Sequence, residues 1–194
     1  MDDIVISAAN IVTEPDSVAP HLGARFGRLD LASQLVFLAV ESLGANFEAH
    51  PRDRIGICLA AEAGSLATDL EFWRTRDAVG GPSPTVFAYT LPSAAMGVIA
   101  IRHGITGPNL CMVGEDCILA EARDMLRRGE VDACLCLSYN VVTPELGVLI
   151  RAVPDARACA LFLQRGGGGL RRLQENDRDI SSVCVALCSE KSAS

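Results

Sequence analysis

The sequence predicts an α/β fold in which helices cover a largely parallel sheet. Segments with strand character alternate along the chain with segments whose apolar residues recur at helical spacing. The segment 54–61 is apolar almost throughout, which is typical of a strand buried on both faces of a parallel sheet. Alternation of this kind favours a layered α/β domain over an all-helical or all-strand fold.

The N-terminal part of the chain predicts two strands and two helices. A first strand is expected over residues 3–9. Asp30 is suited to cap a helix that runs to about Leu43, because its carboxylate can accept a hydrogen bond from the first turn. The buried strand follows, and Gly64 then opens a helix that passes through Trp73.

The remaining elements follow the same alternation. The segment 92–103 predicts a helix rich in small residues, which would let another backbone approach it closely. Glycines 166–169 lack the spacing and flanking elements of a nucleotide loop, so we expect a flexible connection there. The other predicted elements are a third strand over 110–113, a helix over 116–128, strands over 132–137 and 158–164, and strand character at 182–187.

Charge and hydropathy exclude several classes of function. The net charge is −7 and no basic tract is present, so a nucleic-acid partner is not expected. No apolar run reaches the roughly 18 residues that a membrane-spanning helix needs, so no membrane partner is expected either. The N-terminus, Met1-Asp2-Asp3, lacks the positive charge of a secretory signal. We therefore predict a cytoplasmic protein.

The eight cysteines predict neither disulfides nor a metal site. Disulfides are uncommon in proteins without an export signal. Cys134 and Cys136 form one close pair and Cys184 and Cys188 another, but neither gives the paired spacing of a zinc site. Most of the cysteines lie in apolar runs, where a thiol packs as a small hydrophobic group. No metal and no cofactor is predicted.

Four stretches carry motifs in a recognisable order. They are R-I-G-I from Arg54, the stretch from S-P at Ser83 to L-P-S-A-A, I-A-I-R-H-G-I-T-G-P-N ending at Asn109, and L-R-R-G-E-V-D ending at Asp132. Together they resemble the N-terminal half of β-ketoacyl synthases. The resemblance implies a thiolase-like fold, in which a complete member contains two α/β/α halves.

The resemblance also implies how the chain is divided. Residues 1–165 would form one α/β/α half with a mixed, mostly parallel five-stranded sheet, and residues 166–194 would form a glycine linker and a short C-terminal tail. The second half of a complete member, which carries two catalytic histidines, would be missing. The chain alone should then lack decarboxylative condensation activity, since that reaction needs those groups within hydrogen-bond reach.

The nucleophile position is degenerate by the same resemblance. Active members carry a cysteine seven residues after the asparagine of G-P-N, where this chain has Asp116, and Cys117 comes one residue later. One residue on a helix is a rotation of about 100°, which would aim the sulfur elsewhere. None of the chain's histidines matches a catalytic position of the family: His21, His50 and His103.

The resemblance therefore predicts a non-catalytic subunit of the chain-length-factor type. Its partner would be a full-length β-ketoacyl-ACP synthase in a heterodimer, and acyl carrier protein would be an indirect partner. The residues expected to line the partner's acyl tunnel are Thr85, Val86, Phe87, Tyr89, Thr90 and Met96. Those expected at the dimer interface are Ser93, Gly97, Asn109, Leu110, Cys111, Met112 and Val113. The pathway would be fatty acid or polyketide biosynthesis, with aryl polyenes as one product class.

Three alternatives remain at this stage. The chain could be a stand-alone acyl-thioester transferase or hydrolase that uses Cys117. It could be half of a split ketosynthase, whose partner would have about 200 residues against about 400 for a heterodimer. It could also be a pseudogene fragment, although the intact helix signals speak against this. Glu62 is expected on a solvated face.

Overall fold

The computed structural model describes residues 3–13, 26–114 and 117–192. Within these ranges, six strands form one sheet between two layers of helices. The strands are β1 Ile4–Val12, β2 Ile55–Ala61, β3 Asn109–Val113, β4 Ala133–Val142, β5 Asp155–Arg165 and β6 Arg171–Arg172. The helices are α1 Leu31–Glu41, α2 Leu66–Thr75, α3 Pro84–Phe87, α4 Ala94–His103, α5 Ile118–Arg127, α6 Pro144–Ile150 and α7 Ile180–Ser192. Short 3-10 helices span Gly44–Ala49 and Arg52–Arg54.

The sheet has the strand order β3-β2-β4-β5-β1-β6. β2 pairs in parallel with β3 and β4, whereas β5 pairs antiparallel with β4 and β1, and β6 antiparallel with β1. Four strands, β1 to β4, therefore run in one direction. The predicted mixed, mostly parallel sheet is confirmed in strand direction, with the short β6 as a sixth strand.

One helical layer consists of α1 and α4. The Asp30 carboxylate caps α1 by accepting a hydrogen bond from the Ser33 amide at 3.0 Å, as the sequence predicts, and it also accepts one from the Thr68 hydroxyl at 2.8 Å. α4 ends at Gly104, which adopts the left-handed conformation. Both helices bury their apolar residues against the face of the sheet that carries Phe162.

The other layer consists of α5 and α7. The predicted strand over residues 182–187 is wrong, because this segment belongs to α7. The Asp179 carboxylate accepts hydrogen bonds from the amides of Ser181 and Ser182 and so caps the helix. Four residues at positions i, i+3, i+4 and i+7 are buried against the sheet: Ile180, Val183, Cys184 and Leu187.

The glycine run before β6 is attached to β1. The Gly166 amide donates to the Asp3 carbonyl at 2.7 Å, and the Leu170 amide donates to the Ile6 carbonyl at 2.7 Å. A Cβ on Gly169 would lie 2.7 Å from the Ile6 carbonyl oxygen, so the close approach requires glycine. The two ends of the glycine run are thus tied to the β1 region, and the flexibility of the run stays a prediction. A domain boundary at residue 165 stays a prediction, and the segment beyond it packs on the same sheet.

Two of the sequence motifs meet at the amino ends of β2 and β4. The Arg54 guanidinium donates to both carboxylate oxygens of Asp132 at 2.9 and 3.2 Å, and Arg165 donates to the same carboxylate at 2.6 Å. These hydrogen bonds, chiefly that from Arg54, hold the pKa of Asp132 below its ordinary value. Gly107, from G-P-N, lies directly against the backbone of Ile55. The motifs thus fix where β2, β3 and β4 begin.

All eight cysteines lie within the described residues, and none forms a disulfide. Cys58 and Cys134 are buried neighbours with sulfurs 3.6 Å apart, and this contact together with burial raises the pKa of the Cys58 thiol. Residues 3–13, 26–114 and 117–192 contain no group of three His, Cys, Asp or Glu side chains suited to a metal ion. They also contain no helix long and apolar enough to cross a membrane.

Candidate functional site

The turn from β3 to α5 carries the nucleophile position. β3 ends at Val113, and Gly114 turns the chain with a positive φ of 102° while its amide donates to the Ala61 carbonyl at 3.2 Å. Cys117 is the N-cap residue of α5 and is exposed. Asp116, the other residue predicted here, lies outside the described residues. The structure thus places Cys117 at a helix N-terminus, at the carboxyl end of β3.

The described contact of the Cys117 thiol does not supply a base. Its thiol donates to the thioether sulfur of Met112 at 3.3 Å. A thioether is a weak acceptor that cannot take a proton at neutral pH, so this contact does not activate the thiol. An acyl-transfer nucleophile needs a base or an adjacent cation to form its thiolate. The geometry around Cys117 therefore supports a surface thiol rather than a catalytic one.

The two described histidines lie at the opposite edge of the sheet. His50 precedes β2, and its Nε2 atom lies 3.2 Å from the Gln164 side-chain oxygen. His103 ends α4 and packs edge-on against Phe47, where burial lowers its pKa despite the nearby Glu41 carboxylate. β2 has seven residues, or roughly 23 Å, and it separates this amino edge from the carboxyl edge of Cys117. Neither histidine can act on the thiol, and His21 lies outside the described residues.

The residues predicted to line an acyl tunnel lie on and just after α3. Thr85, Val86 and Phe87 belong to this short helix, which the Ser83 hydroxyl caps by accepting from the Val86 amide at 3.3 Å. Phe87 rests one face against Phe72, with ring centroids 5.3 Å apart, yet 60% of its surface is exposed. An aromatic ring held on one side and open on the other is suited to contact a second molecule.

The other predicted tunnel residues are more enclosed. Tyr89 is half-buried, and desolvation, with a smaller effect of Asp30, raises its pKa. The Thr90 carbonyl accepts a hydrogen bond from the Ser65 hydroxyl at 2.6 Å, which ties this turn to the start of α2. Met96 lies on α4 and is partly buried against the core. Five of the six residues therefore lie on α3 or within three residues of its end, and the sixth lies on α4. Their role in a tunnel stays a prediction.

The predicted interface strand, β3, is an edge strand of the sheet. It pairs only with β2 within the described residues, so its outer backbone groups face away from the sheet. Leu110 and Met112 contact the core beside α5, whereas Cys111 contacts the core on the α4 side. Asn109 and Val113 at the two ends of the strand are exposed, Val113 at 61%. An exposed edge strand with apolar residues is a template for pairing with another chain.

The predicted interface residues on α4 lie next to this edge. Ser93 precedes the helix, and a Cβ on Gly97 would meet nothing within 4 Å. Ile101, one turn further, is 86% exposed. The sequence pattern did not single out Ile101, although its position four residues after Gly97 places it on the same helix face. α4 packs mainly on α1 and also contacts β2, and the role of α4 and β3 in a dimer stays a prediction.

The sequence missed a polar network at the carboxyl edge of the sheet. Glu62, which follows β2 and is partly exposed, accepts hydrogen bonds from Arg157 of β5 at 3.1 and 3.2 Å, an ion pair that the sequence did not predict. Arg157 also pairs with Asp155 at 2.9 Å. The Ser181 hydroxyl of α7 lies 3.2 Å from that of Ser138 on β4. No motif marks these residues, because strand order alone brings them together.

A family model describes most of this architecture. Residues 28–153 match the model "Beta-ketoacyl synthase, N-terminal domain". The matched region begins before α1 and ends before β5, so it includes β2, β3, α5 and β4 with the predicted site. A search of curated protein sequences finds no match.

Solved structures with the same fold agree with the family model. One is the ketosynthase ApeO in complex with its chain length factor ApeC from Xenorhabdus doucetiae (16% identity, TM-score 0.64, 86% of this chain and 80% of that chain covered). Another is the ishigamide ketosynthase/chain length factor (16%, TM-score 0.72, 97% and 72%). A third is AntDE:AntF, a type II PKS acyl-carrier protein in complex with its ketosynthase bound to the hexaketide (14%, TM-score 0.74, 99% and 83%).

At these identities the likeness shows the fold alone, and it confirms the predicted thiolase-like α/β class. The family model rests instead on the sequence itself and matches more than half of the chain. The chain therefore belongs to the family of β-ketoacyl synthase N-terminal domains.

Proposed function

We propose that the chain is a non-catalytic subunit of the chain-length-factor type, which pairs with an active β-ketoacyl-ACP synthase and shapes its acyl tunnel. The observation that carries the proposal is the combination of an exposed edge strand with a nucleophile position that neither described histidine reaches. The edge strand β3 and the exposed side of α4 face outward. Cys117 has a thioether as its partner, and the described histidines lie across the sheet.

The described residues do not bring the groups of a ketosynthase centre together, which supports a non-catalytic role. Ketosynthase chemistry needs a thiolate and groups that stabilise an enolate and an oxyanion, all converging on one point. In this chain the sulfur and the two described imidazoles are separated by the length of β2. The active partner would supply its own cysteine and histidines. This chain would then act on the reaction only by shaping the space beside them.

The exposed apolar surface supports pairing with another protein. Val113 on β3, Ile101 on α4 and Phe87 on α3 each expose more than half of their surface. Exposed apolar side chains favour association, because burying them removes apolar area from water at about 25 cal/mol per Å². A partner strand could extend the sheet by pairing with β3, and α3 would then project beside the partner's active site.

Tunnel length would follow from side-chain bulk on and after α3. In the proposed complex, Val86, Phe87 and Tyr89 form part of the wall that a growing acyl chain meets. Overfilling a packed wall costs about 1–3 kcal/mol, which is enough to stop elongation at a defined length. The net charge of −7 disfavours direct docking of an acidic carrier protein, so carrier protein would dock on the partner.

The named structural neighbours support a polyketide setting. Two of them are ketosynthase and chain-length-factor assemblies, and one contains a ketosynthase with a carrier protein and a hexaketide. We infer that the product belongs to the fatty acid or polyketide class, with aryl polyenes as the specific class to test. The protein would work in the cytoplasm, where such carrier-protein pathways operate.

Co-expression with full-length ketosynthases from the same genome tests the proposal. We expect a stable one-to-one complex, with product formation that requires the partner's cysteine and is unaffected by Cys117→Ala. Failure of any full-length ketosynthase to co-purify would contradict the proposal, and so would loss of activity in Cys117→Ala.

Because Cys117 is exposed at a helix N-terminus, a second candidate function remains, that of a stand-alone acyl-thioester transferase or hydrolase. Incubation of the chain alone with acyl-thioesters separates the two functions. A covalent acyl adduct that disappears in Cys117→Ala, seen by intact mass spectrometry, would favour the second candidate. We expect no adduct.

A further inference from the structure

The turn between α6 and β5 exposes a run of apolar side chains. Six of the seven residues from 148 to 154 are apolar, and all seven are exposed. Val148 and Val153 expose 80% and 83% of their surface. We call residues 148–154 the apolar turn. Exposed apolar patches of this kind mark contacts with other molecules, because water disfavours them.

The apolar turn is held closely against α6. The Ala152 amide donates to the Gly147 carbonyl at 3.0 Å, and a Cβ on Gly147 would lie 2.6 Å from the Ala152 carbonyl oxygen. Leu146 and Gly147 are buried and anchor the helix to the rest of the domain. Arg151 ends α6 in the left-handed conformation with a φ of 57°. The turn is therefore pre-organised, which lowers the conformational entropy that binding would cost.

An apolar groove lies directly beside the apolar turn. Its volume is about 460 Å³, and it is formed chiefly by the end of β4, the start of α6 and the start of β5. Pro154 belongs both to the turn and to the groove wall, so a protrusion and a hollow share one surface. Such a surface can pair with a second copy of itself, because each turn can enter the other copy's groove about a twofold axis. The apolar residues of the groove are Leu31, Val141, Val142, Pro144, Pro154 and Ala156.

The charges on this surface are complementary in the same sense. Arg151 is the one charged residue of the apolar turn, and it has no ion pair within the part of the chain that the structure describes. Asp155 lines the groove and is partly exposed. Its Oδ2 atom accepts from Asn140 at 3.0 Å and pairs with Arg157 at 2.9 Å, which leaves Oδ1 for a further donor. In a twofold pair, Arg151 of each copy would be the donor to Asp155 of the other.

The exposed area is sufficient for a weak dimer. The four large side chains of the turn expose roughly 500 Å² per chain, so two copies would bury roughly 1,000 Å², which is near the lower limit for a specific interface. We propose that the apolar turn and its groove form an interface between two copies of this chain. The interface lies at β4 and β5, which β2 separates from β3, so it goes beyond the proposed function. A ketosynthase bound at β3 would then be part of a two-to-two assembly.

Sedimentation equilibrium of the full chain without any ketosynthase tests the interface independently of the proposed function. We expect a reversible dimer with a dissociation constant in the micromolar range, since the interface is small. Val148→Asp should raise the dissociation constant at least tenfold with an unchanged circular dichroism spectrum, because the side chain is exposed. The matched control, Val113→Asp on β3, should change it by less than twofold. A monomeric wild-type chain, a dimer that survives Val148→Asp, or a dimer lost in Val113→Asp would overturn the inference.

Arg151→Gly separates the charge from the fold. Glycine is favoured in the left-handed conformation, so Tm should be unchanged or higher at concentrations where the chain is monomeric. The dissociation constant of the dimer should nevertheless rise at least fivefold, because two symmetric ion pairs are lost. An unchanged dissociation constant would overturn the inference. Flotation of the monomeric chain with phosphatidylcholine vesicles, lost in Val148→Asp, would assign the turn to a lipid surface and would also overturn it.

Discussion

The two sides of this half domain differ in what they leave exposed. On the β3–α4 side, the sheet ends in the edge strand β3, whose last residue Val113 is largely exposed, as is Ile101 of α4. On the α5–α7 side, buried apolar residues are covered and charged residues such as Asp124 face outward. Within the described residues, the apolar side chains of the α5–α7 side are therefore mostly covered, whereas the β3–α4 side leaves large apolar side chains exposed. A ketosynthase partner is expected at the β3–α4 side.

The same comparison bears on whether the chain acts as an enzyme or as a structural subunit. Cys117 sits at the start of α5, between the two sides, with Met112 as its partner. An active enzyme would need that position to be supplied with a base, whereas an assembly subunit needs only the shape around it. The contact of Cys117 with Met112 serves packing, which agrees with the proposed role.

The largest effect on stability is expected from a substitution that disrupts the packing of α7 on the sheet. Val183→Asp would place a carboxylate at a position that is 5% exposed, facing the sheet. Burial of an unpaired charge should lower the free energy of unfolding by about 4 kcal/mol or more, so the variant should unfold at a much lower urea concentration than the wild type. Urea unfolding followed by circular dichroism measures the change.

The matched control lies on the same helix. Val185 is 51% exposed, so Val185→Asp should change the free energy of unfolding by less than about 0.5 kcal/mol. Equal stability of the two variants would show that α7 does not pack as described.

A somewhat smaller effect is expected at the turn that positions β3. Gly107 lies against the backbone of Ile55, and an added Cβ would collide with its carbonyl group. Gly107→Ala should therefore lower the free energy of unfolding by about 3 kcal/mol and displace the edge strand, which would also weaken partner binding. Chemical denaturation and a pull-down measure the two consequences. If Gly107→Ala unfolds like the wild type, the turn can relax around the added methyl group and β3 does not depend on it.

Gly97→Ala should act in opposite directions on the chain and on the complex. An added Cβ meets nothing within 4 Å in the isolated chain, and alanine favours a helix over glycine by about 0.5–1 kcal/mol. The isolated variant should therefore be more stable. If a partner backbone packs closely on α4, binding should weaken about tenfold, or about 1.4 kcal/mol. Unchanged affinity by calorimetry would remove α4 from the interface.

The smallest effect is expected at the ion-pair cluster on the amino edge. Hydrogen bonds from Arg54 and Arg165 lower the pKa of Asp132, so its contribution to stability is present above the unfolded pKa of about 3.9 and is lost as pH falls through the lower folded value. Asp132→Asn should cost at most about 1 kcal/mol at pH 7, because the cluster is partly exposed. Urea midpoints at pH 7 and pH 3 should differ less for the variant than for the wild type. An identical pH dependence would contradict this assignment.

The sequence predicted the layered fold well because most elements carry local signals. Asp30 caps α1 and Gly104 ends α4, as side-chain and glycine chemistry require. It misread α7, since Val183 and Val185 favour a strand by propensity, although the burial spacing from Ile180 to Leu187 is helical. Tertiary packing on the sheet decided between the two.

The candidate site was only partly predictable. The family motifs located β3 in the sequence, and the structure places it at the edge of the sheet. Its role in a dimer stays a prediction. The pairing of Glu62 with Arg157 could not be foreseen, since the partners are far apart in sequence and meet only through the antiparallel β4–β5 register. The exposure of Ile101 depends likewise on which side of α4 the sheet covers.

The central claim is that this chain sets product length from outside the catalytic centre. Its most direct test is the product distribution of the ketosynthase complex containing Phe87→Ala, because Phe87 is the exposed aromatic residue of α3. We predict longer products with the complex intact, since the truncated side chain enlarges the tunnel. An unchanged product length from an intact complex would contradict the account.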